Sequence, residues 1–359
     1  MDADEELPYY QITDGKKLSL ILTKKLEEYN ENNARMDLVL FDQAMEHICR
    51  ISRIIDTPRG NALLVGVGGS GKQSLSRLAA FTAGCEVFEI TLTRGYDETM
   101  FRDDLKSLYT MIGVNNQKVM FLFTDSHVAD EGFLELINNM LTSGMVPALY
   151  ADDEKEGVTA GLKEEVVKKG LGETKEAAWN YFVDRCRNNL HVVLGMSPVG
   201  DTLRTRCRNF PGMVNNTVID WFQPWPEDAL TSVANRFLAE ENLGSDEVKT
   251  ALASMCVFIH RSIDTVSNRF FDELRRKVYT TPKSYLDLIN LYLSMLEEQR
   301  AKLKAAGSRL VVGVEKLNDT NAKVDGLQEE LTRLQPVLVQ KTKETEELIK
   351  QLRQHFTML

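Results

Sequence analysis

Residues 62–81 restrict this chain more than any other stretch. Ala62-Leu63-Leu64-Val65 is an unbroken apolar run, Gly66-Val67-Gly68-Gly69-Ser70-Gly71-Lys72-Gln73-Ser74 follows it directly, and Leu75 to Phe81 has helical spacing. The order reads as strand, tight turn and helix. Such a turn lets backbone N–H groups converge at the positive end of a helix, and Lys72 adds a cation that reaches outer phosphates. A strand that feeds a covering helix in this way belongs to a parallel sheet.

The rest of the chain supplies the partners for that strand. Val87–Thr91, Val119–Thr124, His191–Met196 and Val218–Trp221 are further apolar runs, separated by helical patterns. Five buried strands alternating with helices predict an α/β fold, a parallel sheet covered on both faces. Apolar positions from Leu38 to Ile55 recur at helical spacing, and Thr57-Pro58-Arg59-Gly60 stops that helix. Asp152 to Lys175 is charged and glycine-containing, which predicts an exposed loop with short helices, and residues 227–295 read as a small all-helical domain. From Leu288 to Leu352 a seam follows: Leu310, Val314, Leu317 and Val324 with Asn321 in one slot, then Leu327, Leu331, Leu334, Leu338, Leu348 and Leu352. Sustained 3-4 spacing with charged flanks predicts a coiled-coil helix, kinked locally at Pro336, that needs a second helix to cover it. The expected division is a lead-in at 1–36, a large α/β subdomain at 37–225, a small helical subdomain at 226–290 and the coiled-coil helix at 291–359.

Charge and cysteine usage narrow the class. Lys plus Arg total 43 against 53 Asp plus Glu, a net charge of −10, and a nucleic-acid reader needs a basic footprint. No run approaches the ~18 apolar residues of a membrane span, and the acidic start Met1-Asp2-Ala3-Asp4 is unlike a signal peptide. Neither nucleic acid nor membrane is an expected partner, and a soluble, unsecreted protein is expected. Five scattered cysteines without a C-x-x-C pair predict reduced thiols rather than a disulfide framework or a zinc site.

Two departures from the usual phosphate-loop chemistry stand out. The residue after Lys72 should carry a hydroxyl for Mg²⁺; here it is Gln73, with Ser74 one place later. Asp125 ends the run Val119–Thr124, where an acid would hold the Mg²⁺ shell. The next residue, Ser126, replaces the carboxylate that would activate water, a loss of about 10²–10⁴ in rate. Asp130 and Glu131, on the following turn, are not expected to reach the same point. Binding without fast hydrolysis is the expected behaviour. The five histidines show no ligand spacing, and Trp221 and Trp225 are expected to pack the junction between subdomains.

In this order, Leu38–His47, Gly66–Ser74, Phe121–Ser126, Met196–Asp201, Asn209–Asn215 and Thr281–Ile289 together resemble the fourth AAA+ module of a dynein heavy chain running into the outgoing helix of its stalk. The Gly-Lys-Gln-Ser and Thr-Asp-Ser variants are similar to axonemal (ciliary and flagellar) heavy chains. The resemblance implies an AAA+ P-loop module that binds ATP or ADP with Mg²⁺ through Gly66–Ser74 and Asp125, hydrolyses slowly, and regulates the stalk of a microtubule motor. It implies that Ser197 is a polar sensor, that Arg206 or Arg208 (with Arg204 beside them) reaches a neighbouring module's nucleotide, and that Lys283 stands where other modules carry a second sensor. The implied partners are neighbouring AAA+ modules, the returning stalk helix, microtubules through a stalk tip outside this chain, and dynein intermediate and light chains, in the cytoskeleton of a cilium or flagellum. The chain is expected to be a fragment or a short product, ending inside the stalk helix near Leu359. Two other readings stay open. A free-standing AAA+ ATPase would show fast basal hydrolysis and a hexamer; a non-enzymatic coiled-coil scaffold with a vestigial loop is opposed by the intact Gly71-Lys72 pair.

Overall fold

The structure, a computed structural model, describes residues 11–172 and 174–356. The start of the expected lead-in, with its acidic residues, and the expected end at Leu359 lie outside the described residues. Five strands form one sheet: β1 (Ala62–Val65), β2 (Glu86–Phe88), β3 (Val119–Thr124), β4 (Leu190–Met196) and β5 (Val218–Trp221). Every pairing is parallel and the order is β2-β3-β4-β1-β5, so the expected parallel α/β sheet is the observed one.

The interior strands β1, β3 and β4 are buried at every position. Their side chains alternate between two cores, as the pleat requires. Along β3, Phe121 and Phe123 face one cluster with Phe101, Phe133 and Phe182, while Met120 and Leu122 face another with Ile48, Ile51 and Leu78. The edge strands correct the expectation of five buried strands. β2 has no buried residue and β5 buries only Asp220, because each has a neighbour on one side alone. β2 is also earlier and shorter than Val87–Thr91: its ladder to β3 covers Glu86↔Val119 to Phe88↔Phe121 and ends there.

Helices α1 (Gly15–Asn32), α2 (Asp42–Asp56) and α3 (Lys72–Thr82) carry the core on one face. Asp14 caps α1 by accepting from the backbone N–H groups of Lys16 and Lys17. The helix expected from Leu38 begins four residues later, at Asp42. Leu38, Leu40 and Phe41 still pack against the α2 core, but from chain outside any helix or strand, so their spacing reflects burial without a helix. The other face is covered by α4 (Glu98–Tyr109), α5 (Gly132–Ser143) and α8 (Lys175–Asn189). A π-helical turn at Thr110–Val114 extends α4, and Gly113 in it admits Phe182 and Cys186: a Cβ there would lie 2.1 Å from the Phe182 ring. Short helices α6 (Asp152–Ala160) and α7 (Lys163–Lys168) fill the charged segment, as expected, and Leu162 and Val166 anchor it.

After β4 come α9 (Thr202–Asn209) and α10 (Gly212–Asn215); after β5 come α11 (Glu227–Ala239), α12 (Asp246–Leu274) and α13 (Pro282–Phe356). The Tyr285 hydroxyl, buried, donates to the Leu230 carbonyl at 2.9 Å and ties the first turn of α13 to α11. The chain divides into two compact units, the second beginning at Asn290. α13 has 75 residues and is unbroken through Pro336. In the second unit the seam leucines are exposed, Leu310 at 71% and Leu331 at 66%. No helix among the described residues is long and apolar enough to cross a membrane.

Candidate functional site

Because β1, β3 and β4 are parallel neighbours, their C-terminal ends meet at one edge of the sheet. Val65 pairs with Met196 and Thr124 with Gly195, so Gly66, Asp125 and Ser197, each just past its strand, converge. Asp125 and Ser197 border a cavity of about 460 Å³, and the loop that Gly66 opens supplies more of its lining.

Residues 68–74 of the loop line that cavity. The Gly66 N–H donates to the Met196 carbonyl at 3.0 Å and starts the turn from the sheet. Gly69 (φ +73°) and Gly71 (φ +91°) take left-handed backbone that side chains resist. Gly71 is the N-cap of α3 and offers no side-chain cap, which leaves the first helical N–H groups open toward the cavity. Lys72 is buried, its Nζ donating to the carbonyls of Gly66 (2.5 Å) and Val67 (2.9 Å) and to Ser70 Oγ at 3.3 Å. Burial pushes the Lys72 ammonium below its ordinary pKa, while the Asp125 charge pulls it back up. A desolvated ammonium held by neutral oxygens beside open N–H groups is a cradle that fits phosphate.

The turn after β3 is locked by its own hydroxyls. Thr124 Oγ1 and Ser126 Oγ share a 2.7 Å hydrogen bond, and Gln73 Nε2 donates to Thr124 Oγ1 at 3.5 Å. The Thr124 N–H donates to His127 Nδ1 at 3.2 Å, and burial holds His127 below its ordinary pKa. Asp125, the Gln73 amide and the neighbouring hydroxyls are hard oxygen donors of the kind Mg²⁺ takes together with water. No carboxylate occupies position 126.

Asp125 is engaged on both oxygens. Oδ2 accepts from the Ser197 backbone N–H at 2.6 Å, and Oδ1 accepts from Arg206 Nη1 at 2.7 Å. Glu131 Oε1 accepts from Arg206 Nε and Nη2, each at 3.0 Å. Two expectations differ from this arrangement. Glu131 does join the cluster around Asp125, through Arg206, because the turn and the start of α5 fold back toward α9. Arg206, expected to reach outward, is buried and ion-paired within its own chain, whereas Arg208 on the same helix is exposed. Arg204 is also exposed and lies 3.9 Å from Asp201. The Ser197 side chain stays local, its Oγ accepting from the Val199 N–H at 3.4 Å.

Lys283 borders the same cavity, close enough to the loop that a Cβ on Gly69 would sit 2.4 Å from its Cβ. The cavity also has apolar lining, with Leu38, Val39, Phe41, Trp225 and Phe237. Phe41 and Trp225 meet edge to face with centroids 5.1 Å apart. Trp225 thus lines the cavity as well as joining segments. The sequence marks Leu38 and Phe41 only as the start of a helical apolar pattern and of the segment Leu38–His47; nothing in that spacing places them at the cavity. Behind the loop, His47 stacks on Phe222 (3.9 Å, 8°) and shares a 2.6 Å hydrogen bond with buried Asp220, which also accepts from Arg50 at 3.1 Å. A Cβ on Gly66 would lie 2.6 Å from the Phe222 Cβ, so this network braces the loop from below. Among the described residues, no cluster of three His, Cys, Asp or Glu side chains forms a metal site.

Residues 36–295 match the family described as the P-loop containing dynein motor region D4. The chain is 62% identical over 321 residues to the Dynein-1-alpha heavy chain, flagellar inner arm I1 complex, of Chlamydomonas reinhardtii, covering 89% of this chain and 7% of that protein. It is 54% identical over 344 residues to dynein axonemal heavy chain 10 of Homo sapiens (96% of this chain, 8% of that one) and 46% identical over 346 residues to the human dynein axonemal heavy chain 6 (96% and 8%). The chain therefore spans under a tenth of the length of these relatives. A parallel sheet with a glycine loop at its edge, a helical segment after it and a long seamed helix agree with that match: this chain belongs to the axonemal dynein heavy chains, within their P-loop containing motor region.

Proposed function

We propose that this chain is a regulatory nucleotide-binding module of an axonemal motor, one that holds ATP or ADP with Mg²⁺ and hydrolyses slowly. The observation that carries the reading is the cavity itself. Its lining combines a glycine cradle and a buried lysine with apolar side chains fit for a purine, and a hydroxyl stands where an attacking water would need a carboxylate. Residues 66–74 and Lys283 would face the phosphates, Phe41 and Trp225 the base. Asp125 and Gln73 would hold Mg²⁺, whose chemistry is to neutralise charge on the phosphate oxygens. Ser126, bonded to Thr124, is a poor proton acceptor at neutral pH. Ser197 keeps the Asp125 carboxylate oriented through its N–H.

In this reading residues 37–225 form the large subdomain, 226–290 the small helical one, and 291–359 the outgoing stalk helix. Its partners are the neighbouring AAA+ modules of a ring and the returning stalk helix, which would cover the exposed leucines. Microtubule contact through the stalk tip, intermediate and light chains, and placement in a cilium or flagellum belong to the whole heavy chain. Arg208, exposed on α9 as Arg204 is, is the arginine this reading offers to a neighbouring nucleotide.

Calorimetric titration with Mg-ATP and Mg-ADP, beside Lys72→Ala, tests the proposal. Micromolar or tighter binding that the variant loses, with negligible phosphate release over an hour, supports it. No binding by the parent chain sinks it and favours the scaffold; fast release favours the free-standing ATPase.

A further inference from the structure

Arg206 is enclosed: the residue is 9% exposed, and its guanidinium touches Asp125 Oδ1, Glu131 Oε1 twice, and Met196 Sδ at 3.9 Å. The planar fork matches this task, since Nε and Nη2 converge on Glu131 Oε1 while Nη1 reaches Asp125. A carboxylate oxygen has room for more than one partner. It tolerates the neutral Ser197 N–H beside a divalent cation, but a full positive charge on Oδ1 repels that cation at close range. Mg²⁺ and Arg206 therefore contend for Asp125. Glu131 offers the guanidinium another partner, by two bonds, when Asp125 is taken. Arg206 also sits in the middle of α9, two residues from exposed Arg208, so the contest is felt along that helix.

We infer that Arg206 and Glu131 are positioning residues for the cation site: Arg206 closes Asp125 in an ion pair until Mg-nucleotide claims the carboxylate, Glu131 retains the displaced guanidinium, and α9 registers the change. The inference rests on the nucleotide reading above. It assigns Arg206 to its own module and leaves the outward role to Arg208.

The test titrates Mg²⁺ against a fixed ADP concentration, followed by calorimetry, with amide hydrogen exchange read in residues 202–209. Arg206→Gln lowers the Mg²⁺ needed for half-maximal ADP binding by about fivefold or more. Glu131→Gln leaves Asp125 as the carboxylate Arg206 pairs with, and raises that requirement. Glu131 is 58% exposed at its side chain, so this variant remains informative if Arg206→Gln folds poorly. Removing a charge at a distance shifts both variants in these directions, so Arg206→Lys separates geometry from charge. A lysine cannot bond both carboxylates as the fork does, and its Mg²⁺ requirement falls toward that of Arg206→Gln. In the parent chain Mg-ADP speeds exchange in α9, and in Arg206→Gln it does not. An Arg206→Lys chain that behaves as the parent, an Arg206→Gln chain that needs more Mg²⁺, or α9 exchange indifferent to Mg-ADP overturns the inference while ADP binding stands. Absence of ADP binding in the parent chain overturns both readings.

Discussion

Gly68 and Gly69 are adjacent, yet alanine should act on them through different physics. At Gly69 the backbone has φ +73°, and a left-handed non-glycine residue costs about 1–2 kcal/mol. The new Cβ would also lie 2.4 Å from the Lys283 Cβ, a full ångström inside ordinary contact, so the loop or the first turn of α13 must give way. Overpacking of this kind costs about 1–3 kcal/mol. Gly69→Ala should therefore lose about 2–5 kcal/mol and drop the melting temperature by roughly 5–15 °C. At Gly68 a Cβ meets nothing within 4 Å, so Gly68→Ala should stay within about 0.5 kcal/mol of the parent in stability. That open space is where the cradle must let phosphate approach, and Gly68→Ala should lose nucleotide affinity while keeping its fold. Urea denaturation of both variants, paired with ADP calorimetry, checks the split. Equal stability losses, or a neutral Gly69→Ala, would refute the argument that Lys283 presses on the loop.

Four further outcomes follow from the same structure. Burial holds His127, His191 and His260 below the ordinary histidine pKa, so the unfolded chain takes up protons first as pH falls. Stability is then complete above about pH 6.5 and declines as pH drops through the lower folded values, which urea midpoints at pH 7.5 and 5.5 will show. Asp220→Ala leaves His47 and Arg50 without their shared acceptor and should cost about 3–5 kcal/mol by chemical denaturation. Ser126→Glu restores the missing proton acceptor and should raise phosphate release by about 10²-fold; an unchanged rate would show that another group limits hydrolysis. Burial raises the Cys85 thiol to about 11 and the Cys186 thiol further, so a maleimide should label half-buried Cys49 and Cys207 first and those two only on unfolding.

What the sequence showed and hid follows the range of the interactions involved. The strand, loop and helix of residues 62–81 lie contiguous in the chain, and three of the five strands are largely apolar and buried throughout because both faces are covered. The edge strands were less legible: β2 is too short to keep a pattern, and β5, at the sheet's edge, leaves Val218, Ile219 and Trp221 exposed. Helical spacing from Leu38 misled because the same residues satisfy burial from irregular chain. The Asp125–Arg206–Glu131 cluster was hidden for another reason. Asp125 and Arg206 are 81 positions apart, and no local spacing announces a pair that forms only once β3 and β4 lie side by side.

The convergence of Gly66, Asp125 and Ser197 just past three interior strands also governs how occupancy will be felt. These positions are anchored in the best-protected part of the molecule, so emptying or filling the cavity cannot be confined to a loop that opens on its own. Ligand bound there stabilises the native form by mass action, and the increment belongs to the whole first unit rather than to its rim. Residues from Asn290 onward form a separate compact unit, and their helix should melt at a temperature that ignores the ligand. Heating this chain with and without ADP would then resolve two transitions, one that climbs with ligand concentration and one that does not.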